Sequence, residues 1–96
     1  MSHLYKASMW QGSSKQWYCS DIEELGKHSG RWWVPCRILG ISPADYVRIL
    51  VEEFKVSNIS YNEEKNFLFF NWEKEADCRR YKNWINAKAR QANYIF

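Results

Sequence analysis

Two stretches of the chain repeat apolar residues at the three- and four-residue spacing of a helix that buries one face. The first begins at Ser42-Pro43, where the serine is a good cap and a proline at the first helical position loses no hydrogen bond. Arg48 and Glu52 lie four residues apart on the outer side, as a solvated ion pair would. The predicted buried face consists of Val47, Leu50, Val51 and Phe54.

The second stretch predicts the longest helix, from about residue 74 to residue 92. It is acidic in its first turns and basic in its last, which is the arrangement that the helix dipole favours. Residues 94–96 (Tyr-Ile-Phe) follow it and are expected to fold back onto the core. The predicted buried stripe consists of Cys78, Tyr81, Ile85, Ala89 and Ala92, with Trp84 alongside.

Two β-hairpins are predicted from short aromatic or alternating runs. Residues 4–10 and 16–19 are rich in aromatic side chains and are separated by Gln-Gly-Ser-Ser, which favours a turn. A second pair of runs covers residues 59–61 and 67–72, joined by the polar loop Asn-Glu-Glu-Lys-Asn. The last of these runs, Phe-Leu-Phe-Phe-Asn-Trp, predicts a central strand that is apolar on both faces.

Two further segments carry weaker signals. Ser20 and Glu23 have the spacing of a capping box, which predicts a short helix ending near Gly26. Residues 31–39 are dense in β-formers, and Pro35 within them cannot donate a ladder hydrogen bond, so an edge strand is expected. The resulting order β-β-α-β-α-β-β-α predicts an α+β domain with an antiparallel sheet of about three to five strands and two to three helices on one face.

The composition favours a single folded domain. The chain has 96 residues, of which 46% are hydrophobic and 18% aromatic, enough for one core. We expect one globular domain over residues 1–96, with residues 1–3 disordered. The longest apolar run has four residues and the N-terminus has no apolar signal region, so we expect a cytoplasmic protein without a membrane span.

The cysteines and the other reactive residues indicate no catalytic or metal site. Cys19, Cys36 and Cys78 fit neither a paired disulfide framework nor zinc-site spacing, so reduced thiols are expected. A site formed by Cys19, His28 and Cys36 lacks a fourth ligand for a metal and an orienting group for catalysis. No glycine-rich nucleotide loop is present. We therefore expect no enzymatic activity and no cofactor, and a thiol or metal enzyme is the weakest reading.

The basic residues are unevenly distributed. Residues 78–96 hold five Lys or Arg and no acid, whereas residues 1–77 hold nine Lys or Arg and eleven Asp or Glu, a net charge of −2. On a helix, Arg79, Asn83, Asn86 and Arg90 share one face, and these side chains are suited to phosphates and base edges. The alternative is that the face is only solvated, as any amphipathic helix requires. The predicted nucleic-acid set is Arg79, Arg80, Lys82, Asn83, Asn86, Lys88 and Arg90.

Aromatic residues are concentrated in the N-terminal third. If exposed, they are suited to a protein interface or to stacking with single-stranded bases. The alternative is that they fill the core, although adjacent residues of a strand, such as the two tryptophans at 32 and 33, point to opposite faces. The predicted interface set is Trp10, Trp17, Tyr18, Trp32 and Trp33.

The sequence thus predicts a small non-enzymatic binding module whose basic C-terminal helix contacts nucleic acid. The alternative is a protein-binding module or a homodimer that uses the exposed aromatics. An inhibitor or adaptor encoded by a mobile element would be one such module.

Overall fold

The computed structural model describes residues 5–23, 33–64 and 67–93. Within these residues, two strands are followed by two helices, two more strands and a last helix, and the predicted α+β class is confirmed. The elements are β1 (Tyr5–Gln11), β2 (Trp17–Glu23), α1 (Trp33–Leu39), α2 (Pro43–Glu52), β3 (Asn58–Asn62), β4 (Phe67–Asn71) and α3 (Glu75–Gln91).

The strands form two antiparallel hairpins instead of one sheet of three to five strands. β1 pairs with β2, so that Trp10 lies opposite Tyr18, and β3 pairs with β4. A bridge between Trp17 and Trp72 joins the hairpins through two backbone hydrogen bonds of 2.7 and 2.8 Å. Both predicted hairpins are therefore confirmed, and the bridge places the start of β2 beside the end of β4.

The helix predicted from the capping-box spacing is wrong. The segment from Ser20 to Glu23 belongs to β2 and pairs with β1 down to Tyr5. A capping box stabilises a helix end only locally, whereas the hairpin adds a ladder of hydrogen bonds to an already aromatic strand. Residues 24–26 lie outside the described residues.

The edge strand predicted for residues 31–39 is also wrong, because residues 33–39 form α1. Pro35 is the third residue of this helix, where the backbone N–H would have no partner within the helix, so proline costs no bond. Gly40 ends the helix with a φ of +68°, and its N–H donates to the carbonyl of Cys36 at 2.8 Å. A glycine in this left-handed conformation commonly terminates a helix. Gly40 was therefore the residue of the sequence that could have indicated a helix before it.

Helix α2 begins as predicted. The Ser42 hydroxyl accepts a hydrogen bond from the backbone N–H of Asp45 at 3.2 Å. Arg48 contacts Asp45 at 3.0 Å and Glu52 at 3.9 Å, which confirms the predicted surface ion pair and adds a second one. The hydrogen bonds of Asp45 with Arg48 and Ser42 lower the pKa of its carboxyl group.

The buried face of α2 is rotated from the predicted one. Tyr46, Leu50 and Phe54 are buried and Val47 is half-buried, whereas 46% of Val51 is exposed. The tyrosine takes the central position because its ring fills the core and its hydroxyl has a buried partner.

Helix α3 and β4 complete the core. The predicted stripe of α3 is buried from Cys78 to Ala89, but Ala92 is exposed. The hydroxyls of Tyr81 and Tyr46 lie 2.7 Å apart, and the indole N–H of Trp72 donates to the carbonyl of Phe54 at 2.7 Å. β4 buries only one face, since Phe69 on the other is 56% exposed. Residues 94–96 lie outside the described residues.

Candidate nucleic-acid interface

Asn86 fastens α3 to the edge of β1. Its Oδ1 accepts from the backbone N–H of Ala7 at 2.8 Å, and its Nδ2 donates to the carbonyl of Ala7 at 3.1 Å. The amide thus replaces the backbone groups that a neighbouring strand would offer. Only 8% of Asn86 is exposed. Its side chain is therefore not accessible to the base edges that it was predicted to contact. The feature of the sequence that could have indicated its burial is its position next to Ile85, a residue of the predicted buried stripe.

A second contact sets the direction of α3 along the first hairpin. The thiol of Cys78 lies 3.5 Å from the carbonyl of Tyr18, which is opposite Trp10 in the hairpin. Eight helical residues from Cys78 to Asn86 cover ~12 Å, and three strand residues from Trp10 to Ala7 cover ~10 Å. The first half of α3 therefore contacts β2 at the level of the Trp10–Tyr18 pair, and its second half passes Ala7 of β1.

Four of the predicted residues lie three, four or seven positions from Asn86 and so share the helix surface next to it. Arg79, Asn83 and Arg90 are exposed, and Lys82, one turn before Asn86, is half-buried. Glu75 in the first turn forms an ion pair with Arg79 and reduces its effective charge. We call Arg79, Lys82, Asn83 and Arg90 the basic strip.

Two other predicted cations face α2 instead. Arg80 contacts Asp77 at 3.4 Å, donates to the carbonyl of Glu53 at 3.2 Å and lies 5.4 Å from the ring centroid of Phe54. Lys88 lines a recess between α3, α1 and α2. The structure therefore divides the seven predicted residues into the basic strip, these two cations and the buried Asn86.

Hairpin β1–β2 exposes an aromatic pair on its outer face. The rings of Trp10 and Tyr18 stack with centroids 5.4 Å apart and planes 20° apart, and 47% of Trp10 is exposed. Lys6 is exposed on the same face, because residues 6, 8 and 10 alternate with the buried Tyr5 and Ala7. We call Trp10 and Tyr18 the aromatic platform.

The other predicted interface aromatics do not join the platform. Trp17 is half-buried and packs against the core from the inner face of the hairpin. Trp32 lies outside the described residues, and only the backbone of Trp33, within α1, is described. The predicted aromatic set therefore contributes the exposed Trp10 and the half-buried Tyr18 to the outer face of the hairpin.

A second surface lies between α2 and α3. Two adjoining recesses of about 440 and 660 Å³ share Ile49 and Trp84 in their walls. One is otherwise lined by residues of α1 and the end of α3, and the other by Phe54, Glu53 and Arg80, with Asn83 at its rim. The shared walls are apolar and the rims carry charge of both signs.

All three cysteines are buried, and none of them forms a disulfide. Burial raises the pKa of Cys36 to about 11 and that of Cys78 to about 12, so both are protonated thiols at neutral pH. Among the described residues, no three His, Cys, Asp or Glu side chains cluster as metal ligands would, and no helix is long and apolar enough to cross a bilayer. His28 lies outside that part of the chain.

Known proteins add no assignment to these surfaces. Comparison of the chain with protein-family models, with curated proteins and with solved structures found no match. The chemistry of the candidate interface therefore follows from its own side chains, namely the basic strip of α3 and the aromatic platform of the first hairpin.

Proposed function

We propose that the protein is a nucleic-acid-binding module that uses the basic strip together with the outer face of the first hairpin. The observation that carries this proposal is the fastening of α3 along the edge of β1 by Asn86. It holds cations from α3 next to a strand whose outer face carries Lys6 and Trp10. A rigidly held set of cations and aromatic rings is what a phosphate backbone with accessible bases requires.

Placement of the charges supports the proposal more than their number does. The acids of the first turn pair with Arg79 and Arg80, whereas no ion pair of the described residues involves Lys82 or Lys6. From residue 78 to residue 93 α3 and its cap contain no acid. A polyanion that approaches this side therefore displaces counterions without first breaking ion pairs at Lys82.

The test compares two double variants that each remove two positive charges. Lys82→Gln/Arg90→Gln removes charge from the basic strip, and Arg48→Gln/Lys88→Gln removes it from the sides that face α2 and solvent. We expect the strip variant to bind a labelled oligonucleotide about tenfold more weakly at low salt, with a shallower dependence of affinity on salt, because phosphate contacts are lost. Fluorescence anisotropy across a salt series measures both quantities.

The control variant separates placement from net charge. It should retain nearly the affinity and salt slope of the wild type. Equal losses in the two variants would mean that only overall charge matters, and an absence of binding by the wild type at low salt would reject the proposal. Circular dichroism of each variant verifies that the fold is unchanged.

A second candidate function is self-association through the surface between α2 and α3. Ile49 and Trp84 favour it, because both are apolar, half-buried and shared by the two recesses. We expect Ile49→Glu to keep the protein monomeric where the wild type dimerises, since a charge would enter an apolar contact. Sedimentation equilibrium over a concentration series measures the mass. Val51→Glu, on the exposed side of the same helix, is the control, and a wild type that stays monomeric throughout contradicts this candidate.

A further inference from the structure

We propose that the nucleic acid is single-stranded and that its bases stack on the aromatic platform. This inference rests on the proposed function and names the class of ligand. It is carried by the exposure of Trp10, by the stacking of the half-buried Tyr18 on it and by the cations near the pair.

The platform is built by the register of the first hairpin. Trp10 and Tyr18 are directly opposite each other, so their side chains leave the same face of the strand pair. The inner face of the same strands is occupied by the buried Tyr5 and Ala7, which leaves the outer face to the platform. Gly12 adjoins it, because a Cβ at this position would lie 2.8 Å from Cε1 of Tyr18. The absence of a side chain at Gly12 therefore leaves room for the Tyr18 ring.

Cations flank the platform on the hairpin and on α3. Lys15 is exposed in the turn between the two strands, where the Gln11 side chain donates to its carbonyl at 3.2 Å. Lys6 is exposed toward the other end of β1, and on α3 the exposed Arg79 directly follows Cys78, whose thiol contacts the backbone of Tyr18. A strand whose bases stack on the rings would thus have positive charge on either side for its phosphates.

A duplex fits this surface less well. Bases in a duplex already stack on one another, so an exposed aromatic face gains nothing from them unless the strands separate. Reading a duplex with α3 would need the helix to enter the major groove with its amides toward the base edges. Asn86 is instead bonded to β1, and α3 is flanked by β1 on that side and by α1 on another. The exposed residues of the helix, among them Arg79 and Arg90, are suited to phosphates.

The experiment measures the affinity of the full chain for a short labelled oligothymidine and for a hairpin duplex of matched charge. Trp10→Leu keeps an apolar side chain but removes the ring, and Trp10→Phe keeps a ring. We expect Trp10→Leu to weaken single-strand binding about tenfold while Trp10→Phe stays close to the wild type. Affinity for the duplex should be lower than for the single strand and insensitive to both changes.

Phe69→Leu is the matched control, because Phe69 is also an exposed aromatic but lies on the second hairpin. It should leave single-strand binding unchanged. Preference for the duplex, or an equal effect of Trp10→Leu and Phe69→Leu, would overturn this inference. If the basic-strip variant still weakened binding in that case, the proposed function would stand. Absence of any binding at low salt would remove both.

Discussion

Replacing Asn86 by alanine is expected to lower the free energy of unfolding by about 3 kcal/mol, because two buried backbone groups lose their partners at once. The amide of Asn86 satisfies both the N–H and the carbonyl of Ala7, and Ala7 is 1% exposed. Alanine offers neither a donor nor an acceptor, and water has no access without separating α3 from β1. Chemical denaturation followed by circular dichroism measures the change.

Asn83→Ala is the matched control, since Asn83 lies one turn earlier on the same helix but is exposed. Its effect should stay within about 0.5 kcal/mol, as is usual for surface substitutions. A loss below about 1 kcal/mol for Asn86→Ala would mean that the edge of β1 finds other partners and that α3 is not fastened there.

The variant Asn86→Asp tests the same contact through pH. A protonated carboxyl group can accept from one backbone group of Ala7 and donate to the other, whereas a carboxylate can only accept and is a buried charge. The pKa of the new aspartate should therefore rise in the folded state above its unfolded value of about 3.9. Stability is then retained below the unfolded pKa and lost as pH rises through the folded pKa. The gap between this variant and the wild type should widen with pH.

The second large effect is expected from Trp72→Phe, which should also cost about 3 kcal/mol. Trp72 is 0% exposed, and its indole N–H donates to the carbonyl of Phe54. Its ring contacts those of Phe70 and Tyr81, each with centroids 5.4 Å apart. Phenylalanine leaves a cavity and a buried carbonyl without this donor, beside the bridge that joins the hairpins. Thermal and chemical unfolding measure the loss.

Trp10→Phe is the control for this prediction, because Trp10 is half-exposed and its N–H has no bond among the described residues. It should change stability by less than about 0.5 kcal/mol. If Trp72→Phe were equally mild, the interior around Phe54 would have to repack without a cavity, which would contradict this prediction.

These stability tests also bear on the candidate interface. Asn86 touches no ligand in the proposal, yet it positions the basic strip beside the first hairpin. A variant at Asn86 that remains folded should lose affinity for the oligonucleotide without losing any charge. The binding variants at Lys82, Arg90 and Trp10 avoid this complication because none of them is fully buried.

The sequence by itself determined the elements whose signals are local. Ser42-Pro43 starts α2, and the apolar spacing of α3 and the turn of the first hairpin lie within single stretches of chain. Such signals act between residues a few positions apart, so no knowledge of the rest of the fold is needed to use them. The α+β class and most of the buried stripe of α3 follow from them.

Tertiary structure alone decided the elements in which local and distant interactions compete. Ser20 has the spacing of a capping box but pairs with β1 in a strand. Pro35 lies in the first turn of α1, where a proline is compatible with a helix. Asn86 has the same helical periodicity as the exposed Asn83, yet it is buried because Ala7, 79 residues away in the chain, needs both a donor and an acceptor. Helical periodicity indicates which face of a helix a residue occupies. It does not indicate which backbone groups of another element lie beside that face and need a hydrogen-bond partner.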